Sequence, residues 1–296
     1  MLRSRQTLVA IAAAVIAAAA IATPLLLRGE GGSSSRPKAA PRATVTKAAP
    51  VTASPARPPK SKARAKTRPT VRKRAPRPAR PVPLPLVSAR MRPWRHDGIS
   101  EVAHARHRRL AVYGRPGAKR PTVLLRNPDR LGVPRVLLVA TERKKWVRLL
   151  MPIRPDGRTG WVRRRAVRLL HNPYRIVVRL RAHRLELWRR HRRVLRTRIV
   201  SGASATPTPR GLFYVTQLLK PPDPNGAYGP FSFGLSAHSR VLKRFAGGDG
   251  QVGIHGTNEP WLIGQSVSHG CIRVNNASIR RLARVLPLGT PVVIRS

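Results

Sequence analysis

The chain has 296 residues, with 60 Lys and Arg against 10 Asp and Glu, and a single Cys. One cysteine leaves no room for an intrachain disulfide framework or a multi-cysteine zinc or iron–sulfur site. A formal net charge of +50 draws the chain to polyanions, whether nucleic acid, anionic lipid or anionic cell-wall polymer, and composition does not choose among them.

Arg3 and Arg5 precede an apolar run from residue 8 to residue 27, broken only by Thr23 and Pro24. As a helix, roughly 20 residues would span about 30 Å, the thickness of a bilayer core. The same run reads as a signal peptide with a small-residue cleavage site at Ala20-Ile21-Ala22. Either way residues 1–28 point to export, as a signal peptide or as a membrane anchor. The basic segment that follows opposes such an orientation, although long segments translocate despite their charge.

Residues 29–90 form a basic linker. Between 36 and 85 there is no acidic and no aromatic residue, only Pro, Ala, Lys, Arg, Ser, Thr, Val and Leu. Such a stretch buries too little apolar area to offset its ordering entropy, so disorder is expected. It reads as a spacer or as a tether that adheres to anionic polymer. With no aromatics for base stacking, no specific nucleic-acid partner is expected.

From about 105 to 170 the texture becomes short β-prone runs at 110–113, 136–139, 146–150 and 160–162. Gly114, Pro116-Gly117, Asn127-Pro128-Asp129 and Pro155-Asp156-Gly157 punctuate them. A small barrel or sandwich follows from that spacing. Trp146 and Trp161 read either as core or as a ligand platform.

The C-terminal stretch, 174–296, predicts strands at 177–180, 185–188, 194–200, 212–218, 231–235, 251–254 and 291–294. Ala182-His183 fits a tight reversal. One helix is clear: Asn275 or Asn276 caps it, and Ile279, Leu282, Ala283 and Leu286 share a face. Pro287 and Gly289 end it.

Within this stretch lie Ile254-His255-Gly256-Thr257 and Ser268-His269-Gly270-Cys271-Ile272-Arg273. A lone cysteine in an exported chain serves no disulfide within the monomer. It is either a small buried hydrophobe or a nucleophile. Imidazoles at His255 and His269 can take a thiol proton, and neighbouring glycines let a substrate approach the backbone. His269 and Cys271 share a face if the segment is extended. A zinc site from His255, His269 and Cys271 has only Asp249 and Glu259 as acids near it in sequence. Ser268 is an alternative nucleophile, less economical than the thiol beside it.

These two segments resemble the L,D-transpeptidase family, whose YkuD-type catalytic domain remodels bacterial peptidoglycan. Thr206-Pro207-Thr208-Pro209-Arg210-Gly211, Gly229-Pro230-Phe231, Gly234-Leu235-Ser236-Ala237-His238-Ser239 and Leu286-Pro287-Leu288-Gly289-Thr290-Pro291 support the likeness. Upstream, Ala111-Val112-Tyr113-Gly114-Arg115-Pro116-Gly117, Lys145-Trp146-Val147-Arg148-Leu149 and Gly160-Trp161-Val162 resemble a bacterial SH3-like domain. The implied fold is mainly β: a small SH3-like β-barrel at 105–170, then a YkuD-type β-sandwich at 174–296 with at least one packed helix.

The resemblance implies Cys271 as nucleophile, His255 as general base and His269 beside the site. Gly256 would orient the imidazole through its carbonyl, and backbone N–H groups around Gly270 and Cys271 would hold an oxyanion. Arg273 would pair with a substrate carboxylate, Ser268 would line the substrate site, and Tyr228 would lie on a loop over it. The implied reaction releases D-Ala from a stem tetrapeptide through a thioester and forms a 3→3 cross-link; water as acceptor would give an L,D-carboxypeptidase. No metal or organic cofactor is implied, and carbapenems would acylate Cys271. The competing class is a non-catalytic protein that binds wall polymer or polyanions.

Overall fold

The computed structural model describes residues 84–86, 91, 93–245 and 247–296. The apolar run at 8–27 and the linker up to residue 83 lie outside the described residues. Among the described residues no helix is long and apolar enough to cross a membrane.

The N-terminal part is built from β1 (Ser100–Ala105), β2 (Arg109–Val112), β3 (Val123–Arg126), β4 (Val136–Arg143), β5 (Trp146–Leu150), β6 (Thr159–Arg163) and β7 (Val167–Asn172). Five of these make an antiparallel sheet in the order β6-β5-β4-β1-β7, and β2 pairs with β3. The sequence places the start of this region near 105, yet β1 is an interior strand, paired on one side with β4 and on the other with β7. Its residues Ser-Glu-Val-Ala-His-Ala carry little apolar bulk, which hides the alternation, although Val102 and Ala103 are buried.

Three residues assigned to the linker also pack here. Leu84 is buried in this core, Arg158 donates to its carbonyl at 2.6 Å, and Leu86 bridges Arg158. Leu84 is buried, whereas Leu86, two residues on, is exposed. Trp161 is buried beneath the Arg143 guanidinium; half-buried Trp146 lies edge-on to Tyr113 with Arg163 over its face.

The C-terminal part comprises β8 (Tyr174–Arg179), β9 (Arg184–Arg189), β10 (Arg192–Arg198), β11 (Ser201–Gly202), β12 (Gly211–Leu219), β13 (Ser232–His238), β14 (Gln251–His255), β15 (Ser266–Ser268), β16 (Ile272–Arg273), α1 (Asn276–Val285) and β17 (Pro291–Arg295). Eight strands run in the order β10-β9-β8-β17-β12-β13-β14-β16, and β11 pairs with β15. The expected reversal after β8 is made by His183 in left-handed backbone, φ 41°.

β12 turns the corner of this sheet. Residues 211–214 pair with β17, and residues 215–219 pair with β13, with a register shift between Val215 and Gln217. A strand shared this way lets two half-sheets wrap one core. That core takes Ile176, Leu185, Phe213, Val215, Phe233, Ile254, Ile272 and Ile294. Into it α1 presents Ile279, Leu282 and Ala283, the face read from its spacing. Asn275 is the cap: its side chain accepts from Ser278 N–H at 2.7 Å. The opposite face of β12 carries Tyr214 into the core of the N-terminal sheet. Among the described residues the fold is therefore mainly β with one packed α-helix, in keeping with the mainly β reading of the sequence with at least one packed helix.

Candidate active site

His255 ends β14 and Cys271 immediately precedes β16. These strands pair in parallel, Ile254 opposite Ile272 and His255 opposite Arg273, so the two segments found in the sequence meet side by side. β14 is buried along residues 252–255, and His255 is only 4% exposed. Its Nδ1 lies 2.7 Å from the Gly256 carbonyl oxygen. A carbonyl only accepts, so Nδ1 carries the proton and Nε2 is left as the basic nitrogen. Burial pushes this imidazole down to about 4, with Arg273 adding to the shift and the Gly256 bond opposing it. At neutral pH it is an uncharged base.

Burial likewise pushes the Cys271 thiol up, against a backbone hydrogen bond from Gly253 and the positive charge of Arg273. The resting pair is thus thiol and neutral imidazole rather than an ion pair. Tyr228, half-buried, places its ring 4.8 Å from that of His255. Its phenol is raised by burial first and then by the neighbouring Cys271, with Arg273 opposing. Residues from three separate segments, Tyr228, His255 and the Cys271–Arg273 stretch, therefore share one electrostatic neighbourhood.

Close backbone approach makes this possible. Gly229 has φ 62°, and a Cβ there would lie 2.7 Å from Gly256 Cα and 2.5 Å from Asn276 Oδ1. Asn276 Oδ1 accepts from Thr257 N–H at 2.9 Å, tying the His-Gly-Thr segment to the first turn of α1. Sequence reading offered Asn276 only as an alternative cap. The second of two asparagines, redundant for capping, was the available signal.

The Ser268–Cys271 turn departs from expectation. Gly270 takes φ 112°, so the segment is bent rather than extended and the sharing of a face by His269 and Cys271 lapses. His269 is exposed and stacks on Phe245, ring centres 5.2 Å apart. Ser268 Oγ donates to the Cys271 carbonyl at 2.6 Å and accepts from Gly270 N–H at 3.2 Å. Ser268 therefore knits the turn together, and the Gly270 N–H is already engaged. Thr206 Oγ1 donates to the Ser268 carbonyl at 3.0 Å, which brings the Thr206–Gly211 segment against the turn. Arg273 pairs with Glu259 at 2.5 Å. Among the described residues no three His, Cys, Asp or Glu side chains converge as a metal would require.

Residues 173–294 match the sequence model of the YkuD L,D-transpeptidase catalytic domain. Two curated relatives named L,D-transpeptidase YkuD, from Bacillus licheniformis and Bacillus subtilis, are 39% and 36% identical over 122 residues. That stretch is 41% of this chain and 66% of each relative, just under two thirds of their length. A solved L,D-transpeptidase from Mycobacterium smegmatis aligns over 55% of this chain and 89% of its own at 17% identity, with a TM-score of 0.33.

Proposed function

We propose that this chain, which carries a YkuD L,D-transpeptidase catalytic domain over residues 173–294, is an exported enzyme that cross-links peptidoglycan stem peptides through Cys271. The observation that carries the reading is the imidazole of His255, fixed by the Gly256 carbonyl with Nε2 open, on the strand beside Cys271.

Cys271 Sγ attacks the carbonyl joining the third residue of a stem tetrapeptide to its terminal D-Ala, and His255 Nε2 takes the thiol proton as the S–C bond forms. With both groups neutral at rest, proton transfer accompanies attack. The Cys271 N–H is the backbone donor left for the oxyanion, since that of Gly270 is bound to Ser268; one such donor is worth about 3–4 kcal/mol. Collapse breaks the C–N bond, His255 returns the proton to the departing D-Ala amine, and a thioester remains. The side-chain amine of a second stem's third residue then attacks. His255 accepts its proton and gives it back to the sulfur, leaving a 3→3 amide.

Arg273 supplies the cation for the D-Ala carboxylate, which competes with Glu259 for it. Tyr228 covers the imidazole. Residues 1–28 deliver the chain to the envelope, the basic linker ahead of Leu84 tethers it to anionic wall polymer, and the β1–β7 sheet serves as an SH3-like module. Incubating the full chain with purified disaccharide-tetrapeptide tests the function. Free D-Ala and a 3→3 dimer by mass spectrometry are expected; a folded enzyme that releases neither contradicts it.

A further inference from the structure

The connection between β13 and β14 is a hairpin whose base is closed by Ser239 N–H donating to the Gly250 carbonyl at 2.8 Å. Near its tip, Phe245 and Gly248 exchange backbone hydrogen bonds of 3.1 and 2.9 Å. Phe245, 40% exposed, stacks on His269 two residues before Cys271. This hairpin is gripped from the N-terminal sheet, by residues of the turn between β5 and β6.

Arg154 Nη1 donates to the Ser239 carbonyl at 2.6 Å, and Nη2 donates to those of Leu242 at 3.0 Å and Asp249 at 2.7 Å. A planar fork suits three carbonyls spread across one hairpin, where a single ammonium does not. Two residues on, Asp156 accepts from the His238 backbone N–H at 3.1 Å and lies 3.0 Å from its Nδ1. Asp249 sits 3.6 Å from His238 Nε2 on the other side. Gly250 makes the grip possible: φ is 76°, and a Cβ there would stand 2.7 Å from Arg154 Nη2.

From this chain of contacts we infer that Arg154 is a positioning residue for the thiol site. It fixes the hairpin so that Phe245 holds the exposed imidazole of His269 and walls the approach to Cys271. The N-terminal sheet then sets the donor site of the catalytic domain rather than serving only as a separate module. This rests on Cys271 being the acylated residue, and the test keeps the two claims apart.

In the full chain, the His269 ring-proton resonances are read by NMR and assigned through His269→Gln. Carbapenem acylation of Cys271 is followed in parallel as a function of concentration. Arg154→Ala should move the His269 resonance as Phe245→Ala does. It should raise the half-saturating concentration about tenfold with little change in the limiting rate, because a displaced wall weakens ground-state and transition-state binding alike. The double variant should be no worse than the poorer single, and Arg154→Lys should recover only part of the loss. A folded Arg154→Ala protein with either the resonance or the half-saturation unchanged overturns the inference, as do effects that multiply in the double variant. A wild type that forms no adduct contradicts the proposed function instead, and the His269 resonance then decides the positioning of the hairpin.

Discussion

His255 donates from Nδ1 to the carbonyl of Gly256, its own neighbour in the chain, at 2.7 Å. One short hydrogen bond within two residues fixes both the tautomer and the aim of the ring. Burial around it holds the imidazole at about 4, so it stays an unprotonated base across the physiological range.

The first consequence is kinetic. Acylation of Cys271 should not fall through the ordinary histidine range near 6.5; its acid limb should lie close to pH 4 instead. Because burial raises the thiol above its usual 9.0, no thiolate-driven rise is expected below that value. The pH profile of the acylation rate checks both limbs, and an acid inflection near 6.5 contradicts the neutral-pair description.

A stability consequence follows with a definite sign. The folded pKa of His255 lies below its unfolded value, so between about 6.5 and 4 the unfolded chain binds a proton that the folded chain does not. Stability therefore falls as pH drops through that window. The contribution is about 2 kcal/mol at pH 5 and on the order of 3 kcal/mol once the folded pKa is passed. Urea unfolding of wild type and His255→Gln at pH 7 and pH 5 should show the variant losing less by that amount; parallel losses contradict it.

Asn276 should matter more than a surface helix residue. Asn276→Ala removes the acceptor for Thr257 N–H, leaving a buried donor unmet at a cost of about 1–3 kcal/mol. The helix itself keeps its cap on Asn275. Thermal unfolding should show the loss, with acylation slowed, and Asn276→Asp should restore most of both because it keeps the acceptor.

Arg273 is tied to Glu259 in the resting protein. If the terminal carboxylate of the donor stem takes over that cation, wild type should prefer a stem ending in free D-Ala to one ending in its amide. Arg273→Ala should erase the preference and raise the half-saturation about tenfold for the acid form alone. Equal penalties for acid and amide would assign Arg273 to holding Glu259 instead.

How much of this was legible in the sequence depended on where side-chain spacing alone determines structure. The helix was readable because an Asn cap and a four-residue apolar face are local signals, and both stand where expected. Most strands of the C-terminal sheet were readable from apolar alternation. β1 was not, because an interior strand written Ser-Glu-Val-Ala-His-Ala offers only small or charged residues around Val102. The pairing of the His255 and Cys271 segments depends on a parallel β14–β16 register that no spacing encodes. The bend at Gly270, φ 112°, sends His269 out to Phe245, and a glycine in sequence does not disclose the direction it will turn. The grip of Arg154 on the hairpin was hidden for another reason: three carbonyl acceptors leave no trace in side-chain identity.

The central claim is that Cys271, and no other residue, becomes acylated. Intact-mass and peptide mass spectrometry of the full chain after exposure to a carbapenem tests it most directly. One adduct is expected, on the peptide containing Ser268-His269-Gly270-Cys271, and absent from a folded Cys271→Ala protein. A folded, reduced wild type that gains no mass, or an adduct that survives in Cys271→Ala, contradicts the account.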